Sequence, residues 1–509
     1  VIDLIRRNPA AADAYATILL ADGRGVFACA DRLSTGSQEP AARMLRAYLL
    51  VALGKPREAL AALSSDDVPE ATRVAWLTAR CEIAGFGGDY IAAHEALTRL
   101  RSIKGAGGEA DGGAGGMFIS RALVALQSLD EAADVVEKAY QAGNLGAADA
   151  LASAGILLRA GRVDKGEEIL VKLVEADPFD EKPAELLINI YGRGAKPDQQ
   201  KFIASLRRLR EAVPSSRVLR WAAANELVQR SQWSQGETAL LSLAEEDATS
   251  VGLLDLLATT WIRGGPESMA RGEAWLSRRL ASAPESIEIN AALARVMAVH
   301  DKASEAIALI DQRCAKWPIP RLLRIKEAIT AETLKDIAKA RALSMARLAP
   351  SPRPADDTLE LCEILLAESR IAEVEPTLRT GLPKVVTLLS SQEARLVRLI
   401  SLVAQQDAEK VAKGALPIAP GLLTFATDRG LVLSPALQEA RVVILSLAEP
   451  PDIAAIAAAF KGAAPEAEKS GPVAARIVQR LVACPKPRAA LTFAEVVVTS
   501  TPEPSPQSL

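Results

Sequence analysis

Residues that could break or form bonds are few in this chain and widely scattered. The only two histidines are His94 and His300, and histidine is the side chain best suited to proton transfer near neutrality. None of the spacings G-x-S-x-G, H-E-x-x-H or G-x-x-x-x-G-K-[ST] occurs, so the usual nucleophile elbow, zinc helix and phosphate loop are missing. The segment GAGGEA, inside the glycine-rich run 105–116, satisfies a loose G-x-G-x-x-A. A dinucleotide site needs a strand before that motif and a helix after it. Here a helix precedes it, which makes the run a linker. Five cysteines, Cys29, Cys81, Cys314, Cys362 and Cys484, are odd in number and include no C-x-x-C pair. That pattern argues against a disulfide framework or a zinc site and fits a reducing compartment. The residues thus identify no catalytic group, no metal site and no cofactor.

Composition narrows the partners. With 60 Lys and Arg against 63 Asp and Glu, the net charge is -3, and the basic footprint of a nucleic-acid binder is missing. No apolar run reaches the roughly 18–20 residues that span a bilayer. The expected location is cytoplasmic by default. A periplasmic or membrane-associated one is open if a segment precedes Val1. Alanine and leucine dominate, which favours helix.

The elements that position these residues repeat. Small residues recur at Ala59, Ala93, Ala133, Gly166, Gly236, Gly272, Ala306 and Ala340, with Val374 in the same place. Their separations are 34, 40, 33, 70, 36, 34, 34 and 34. The 70 is two periods with one degenerate unit, and the 40 spans the glycine-rich insert. A fixed period of this length marks a repeat array in which each unit buries its apolar face against its neighbours. Each unit reads as two amphipathic helices around a turn. In the first, Leu45, Tyr48, Leu49 and Ala52, then Ala59, Leu60 and Leu63, follow the helical period. Gly54 and Pro56 between them suit a left-handed stop and a helix start.

Twelve residues before these markers stand Ala47, Cys81, Ala154, Ala224, Thr260, Ala294, Ala328 and Cys362. Four residues after them stand Leu63, Leu97, Leu170, Leu240, Leu276, Ile310 and Leu378, with Ser344 as the exception. A 34-residue helix–turn–helix with two small sites and a closing proline resembles the tetratricopeptide repeat (TPR) family over about residues 40–383. The array departs from that pattern at Arg121, which falls where a first-helix small residue belongs, and at Phe202, which replaces a second-helix one. The resemblance implies an all-α, right-handed superhelical α-solenoid of about ten helical pairs. It would comprise an N-terminal pair at 1–39, the array at 40–383, a less regular helical block at 384–495 and a disordered tail at 496–509. His94 and His300, about six repeats apart, meet only if the superhelix closes on itself. Cys81 and Cys362 sit at core small sites.

In the resembled family, first helices line a concave groove, and residues eleven and fifteen before each marker face it. That rule places Met44, Tyr48, Thr78, Glu82, Trp221, Asn225, Leu257, Trp261, Ala291, Arg295, Leu359 and Glu363 there. The candidate partner-binding residues are Tyr48, Glu82, Trp221, Asn225, Trp261, Arg295 and Glu363. Their aromatic rings either anchor a peptide or pack on the adjacent first helix. With Arg295 isolated, no clamp for an acidic tail is expected, so an apolar or amphipathic segment of a protein is the expected partner. The leading functional expectation is a non-enzymatic scaffold or adaptor. Two others remain: an envelope-associated assembly factor for exported polymers, as many degenerate bacterial arrays are, and the regulatory arm of an enzyme whose catalytic domain lies elsewhere.

Overall fold

The repeat unit is built from one turn used again and again. Gly54, Gly88, Gln127, Gly161, Ser231, Asp301, Lys335 and Ser369 all have positive φ, and each lies five residues before a residue that packs into the hairpin. From there the marker's N–H donates to the carbonyl four positions back, as in Ala59 to Lys55, Ala93 to Asp89, Gly166 to Arg162, Ala306 to Lys302 and Ala340 to Asp336. A left-handed residue ends one helix and starts the next at a fixed angle.

The structure is a computed structural model describing residues 11–34, 39–64, 68–103, 115–143, 145–192, 194, 196–246, 251–412, 421–431, 435–447, 451–464, 467–482 and 488–500. Among them there is helix and no strand. The chain divides into two compact units, Val1–Pro352 and Arg353–Leu509.

The first unit contains α1 (Ala12–Asp22), α2 (Val26–Ser34), α3 (Pro40–Ala52), α4 (Pro56–Ala62), α5 (Glu70–Phe86), α6 (Tyr90–Ser102), α7 (Gly115–Ala125), α8 (Leu129–Gln141), α9 (Ala147–Arg159) and α10 (Val163–Ala176). It continues with α11 (Glu181–Gly192), α12 (Gln199–Ala212), α13 (Arg217–Gln229), α14 (Trp233–Glu246), α15 (Val251–Arg263), α16 (Pro266–Ser282), α17 (Ile287–Val299), α18 (Ala303–Cys314), α19 (Pro320–Ala328) and α20 (Ile337–Leu348). From α3 onward, odd-numbered helices are first helices and even-numbered ones second helices. Their crossing points are fully buried at Ala47, Cys81, Ala154, Ala224, Thr260 and Ala294.

Three irregularities have visible causes. Ala132, not Ala133, occupies the marker site of α8, because its N–H donates to Ser128 O and Gln127 is the left-handed residue. The spacing from Ala132 to Gly166 is then the regular 34, and the first-helix small site is Ser120, fully buried. Arg121 is therefore in register and belongs to the groove face, a correction to its reading as a break. At Phe202 the size pattern inverts, since a Cβ on Gly192 would lie 3.2 Å from the Phe202 ring. A π turn at Ile329–Thr333 adds a residue before Ala340, so Ala328 turns outward and Glu327 turns in. Glu327 is held there by Arg347 Nε at 2.7 Å and by Ser344 Oγ at 2.9 Å, which explains the polar residue at position 344. In the glycine run, Gly115 and Gly116 open α7, and the rest of it lies outside the described residues.

This first unit closes on itself. Glu285 N–H donates to Gly23 O at 3.0 Å, and Phe27 N–H donates to Glu285 Oε2 at 3.0 Å, so a glutamate from the loop before α17 satisfies an orphan donor at the start of α2. The Phe27 and Trp317 rings are 6.1 Å apart, Lys55 lies 4.7 Å above Trp317, and Lys316 pairs with Asp31. One hydrophobic cluster joins Ala12, Ala16, Leu45 and Leu49 to Ala291, Ala294, Ile310 and Trp317. Even so, His94 is exposed on α6, while His300 Nδ1 is 3.0 Å from Glu273 Oε2.

The second unit contains α21 (Ala355–Ala367), α22 (Val374–Gly381), α23 (Ser390–Ala412), α24 (Leu422–Asp428), α25 (Pro435–Ser446), α26 (Ile453–Ala463), α27 (Ala467–Val482) and α28 (Arg488–Ser500). Helices α21, α23, α25 and α27 contact one another in succession, so hairpin stacking continues where the period is lost. The 23-residue α23 stretches the spacing. Helix α28 carries regular structure past 495. Residues 501–509 of the expected tail, and Cys484, lie outside the described residues.

Candidate protein-interaction groove

Correcting the register by one residue brings four polar side chains together on the groove face. Tyr48 on α3, Glu82 on α5 and Arg121 on α7 occupy the same position in successive first helices. Arg121 Nε donates to Glu82 Oε1 at 2.7 Å and Nη2 to Glu82 Oε2 at 3.0 Å, while Nη2 also donates to Asp13 Oδ2 of α1 at 2.8 Å. Tyr48 Oη donates to Glu82 Oε2. Bidentate guanidinium–carboxylate pairing of this kind is strong and directional. Burial alone would lower the Arg121 pKa, but the charge of Glu82 and its hydrogen bonds more than offset this and hold the guanidinium firmly charged. Burial, and then the Glu82 charge, push the Tyr48 phenol well above its ordinary value, so it stays a neutral donor.

Beside this cluster, α5, α7 and α9 enclose an open cavity of about 530 Å³. Glu82 and Arg121 form one wall, and Phe86, Phe118, Val124 and Ile156 supply apolar surface. Phe86 is 52% exposed, a large ring presented at the end of α5. Arg159 also lines the cavity and is exposed, and it forms no ion pair among the described residues. The arrangement offers apolar contact area beside two cations, Arg121 held by Glu82 and Arg159 exposed.

The other candidate residues have different surroundings. Trp261 is fully buried, with its ring 5.9 Å from Trp275 and pressed on Gly272, so it is core and its placement on the groove is corrected. Trp221 is half-buried and lies over the first turn of α15, where a Cβ on Gly252 would be 3.9 Å from the indole. Asn225 is half-buried one turn further along α13. Arg295 is not isolated: its Nη1 donates to Asp255 Oδ1 at 2.8 Å, and Arg321 pairs with the same carboxylate and with Glu288. In the second unit Glu363 is exposed and paired with Arg395 at 3.0 Å. Of the further groove positions, Met44, Thr78, Leu257, Ala291 and Leu359 are buried. The structure thus joins Tyr48 to Glu82 by a hydrogen bond and packs Trp221 against the cluster that contains Trp261. Sequence reasoning missed Arg121, Phe86, Phe118 and Arg159. The regular spacing from Ala132 to Gly166 was the signal that recovers Arg121.

The two buried thiols confirm the shared register. Cys81 Sγ lies 3.2 Å from the marker carbonyl Ala93 O, and Cys362 Sγ 3.8 Å from Val374 O. Burial pushes both thiols up to about 12, far from thiolate reactivity.

Hairpins in one register, with first helices stacked side by side, define a TPR-like α-solenoid, a repeat protein. No family model matches the chain, and no curated protein matches it. Among solved structures, the chain is similar to yeast Tom70, at 14% identity over 77% of this chain and 96% of that one, with a TM-score of 0.41. It is similar to the APC/C Cut9–Hcn1 hetero-tetramer, at 15% identity over 95% and 91%, with a TM-score of 0.34. A third likeness is to the human IFIT1 dimer with PPP-AAAA, at 13% identity over 89% and 95%, with a TM-score of 0.34. These likenesses carry no argument about partners. Among the described residues, no helix is long and apolar enough to cross a membrane.

Proposed function

We propose that this chain is a non-enzymatic scaffold that captures a helical, amphipathic segment of another protein on the groove formed by α5, α7 and α9. The observation that carries this reading is the cavity itself, which presents the exposed Phe86 ring and half-buried Phe118 together with Arg159, which has no ion pair among the described residues. Apolar anchors of the partner insert between the two phenylalanines. An acidic residue of the partner reaches Arg159. Such helix-in-groove recognition draws its affinity from a few buried anchors and its orientation from charge.

Selection from a library of helical peptides tests it, with the full chain as bait and the Phe118→Asp chain for counter-selection. Retained peptides should share apolar residues at i, i+3 or i+4 and i+7 with an acid nearby. Peptides that bind both chains equally would place the interaction outside this cavity.

A further inference from the structure

The hairpin whose size pattern is inverted at Phe202 has a hole beside it. Helices α10, α11 and α12 enclose an open cavity of about 250 Å³, floored by Val171, Val174, Leu187, Tyr191 and Leu209. Its wall on α12 is short. Two, three and six residues after Gly166 on α10 stand Glu168, Ile169 and Lys172, whereas the same steps after Phe202 on α12 reach Ala204, Ser205 and Arg208. Alanine and serine thus take the places of a glutamate and a buried isoleucine, which leaves the gap between α10 and α12 open.

The charges around this cavity are unequal. At one end Lys201 is held by Glu167, which also takes bonds from Lys196 and Tyr191. Arg208 lines the cavity seven residues further along α12, about 10 Å at the helical rise. It is exposed, its Nη2 donates to Val174 O at 3.5 Å, and it forms no ion pair among the described residues. The corresponding slot one unit earlier, between α8 and α10, is lined by Glu137, Lys165, Glu168 and Lys172. There Lys165 pairs with Glu137 and Lys172 with Glu168, so the charges answer one another. In the later slot an apolar floor lies beside a guanidinium that lacks an acidic partner.

We infer that this cavity binds a small aliphatic monocarboxylate, with its chain on the Val171, Val174, Leu187 and Leu209 floor and its carboxylate paired with Arg208. Size and charge choose the class. At the roughly 30 Å³ that a water molecule occupies, the cavity holds about eight heavy atoms, too few for a helix or a two-chain lipid. Its apolar floor disfavours a sugar, whose hydroxyls would lose their water without gaining partners. One guanidinium at the rim answers one carboxylate. The site lies apart from the groove on α5, α7 and α9, so it is a second binding function that does not depend on the first.

The test is calorimetric titration of the full chain with butanoate, hexanoate, octanoate and decanoate, and with octan-1-ol as the uncharged comparator. Affinity should rise about fourfold per added methylene up to octanoate and less than about twofold more to decanoate, because the cavity is then full. Arg208→Gln should weaken octanoate about tenfold and leave octan-1-ol unchanged. Ala204→Leu, at an exposed position, and Ser205→Ile, which restores the residue of the preceding unit, should each abolish octanoate binding while thermal unfolding shows the chain folded. Phe118→Asp, in the groove cavity, should leave octanoate binding as it is. Absence of saturable octanoate binding overturns the inference. So does an affinity that keeps climbing at the same rate to decanoate, which marks unspecific adhesion. Octanoate binding that ignores Arg208→Gln and Ala204→Leu, or that is lost with Phe118→Asp, also overturns it, since the ligand then sits elsewhere.

Discussion

Gly272 and Trp261 fit so closely that a Cβ on the glycine would lie 2.4 Å from the indole Cδ2. The small residue of the repeat is here the counterpart of the largest side chain, and the pair joins α15 to α16. Gly272→Val is expected to lower stability by about 1–3 kcal/mol through overpacking, and Trp261→Ala by about 3–5 kcal/mol through the cavity it leaves. Denaturant unfolding measures both. Neither substitution should change the affinity of groove peptides for the folded protein, and a selective loss of binding by Trp261→Ala would return that residue to the groove.

Arg121 is predicted to be structural as well as recognitive. Glu82 is 6% exposed, so Arg121→Ala leaves a buried carboxylate without its cation, at a cost of about 3–5 kcal/mol. Adding Glu82→Gln should restore part of that loss, since the amide needs no counter-charge. A double-mutant cycle on unfolding free energies checks this, and additive losses would contradict the pairing.

Among the described residues, five turns carry a side chain in the left-handed region: Gln127, Ser231, Asp301, Lys335 and Ser369. Glycine removes the steric cost of that conformation but adds chain entropy to the unfolded state. At Lys335, between the π turn and α20, the balance favours Lys335→Gly by about 0.5–1 kcal/mol. A raised Tm would bear this out. A lowered one would mean that the lysine side chain makes a contact worth more than the strain.

Glu167 gives the clearest acid sensitivity. Burial works against its charge, but bonds from Lys196 at 2.8 Å, from Lys201 and from Tyr191 at 2.9 Å carry its pKa from 4.5 down to about 2. A depressed carboxyl stabilises the fold fully above its unfolded value and loses that contribution as pH falls toward its folded value. The difference in stability between natural and Glu167→Gln chains should therefore be largest above about pH 4.5 and shrink steadily as pH falls toward 2. A difference independent of pH across that window would contradict the bonded geometry.

The architecture was legible because crossing helices need small residues, and that need recurs at a fixed spacing. Ala47, Cys81, Ala154 and Ala294 are all fully buried at the sites their spacing marks. Helix ends were less legible, because the left-handed turn accepts Gln127 or Lys335 as well as glycine. Two adjacent alanines, Ala132 and Ala133, are both fully buried, and choosing the second hid Arg121. Closure of the first unit could not be read at all. It depends on Glu285 meeting the start of α2 across more than 250 residues, and no local pattern encodes that meeting. Trp261 shows the other limit: a periodic position specifies the face of a helix, but its burial depends on what lies opposite.

The most direct test of the groove is site-specific photo-crosslinking in the cell of origin. A photoreactive phenylalanine analogue is placed either at Phe118, on the cavity wall, or at Thr98, exposed on α6. The account predicts a discrete crosslinked protein from position 118, none from 98, and loss of the product when Arg159→Glu is added. The same product from position 98, or one from 118 indifferent to Arg159, would contradict it.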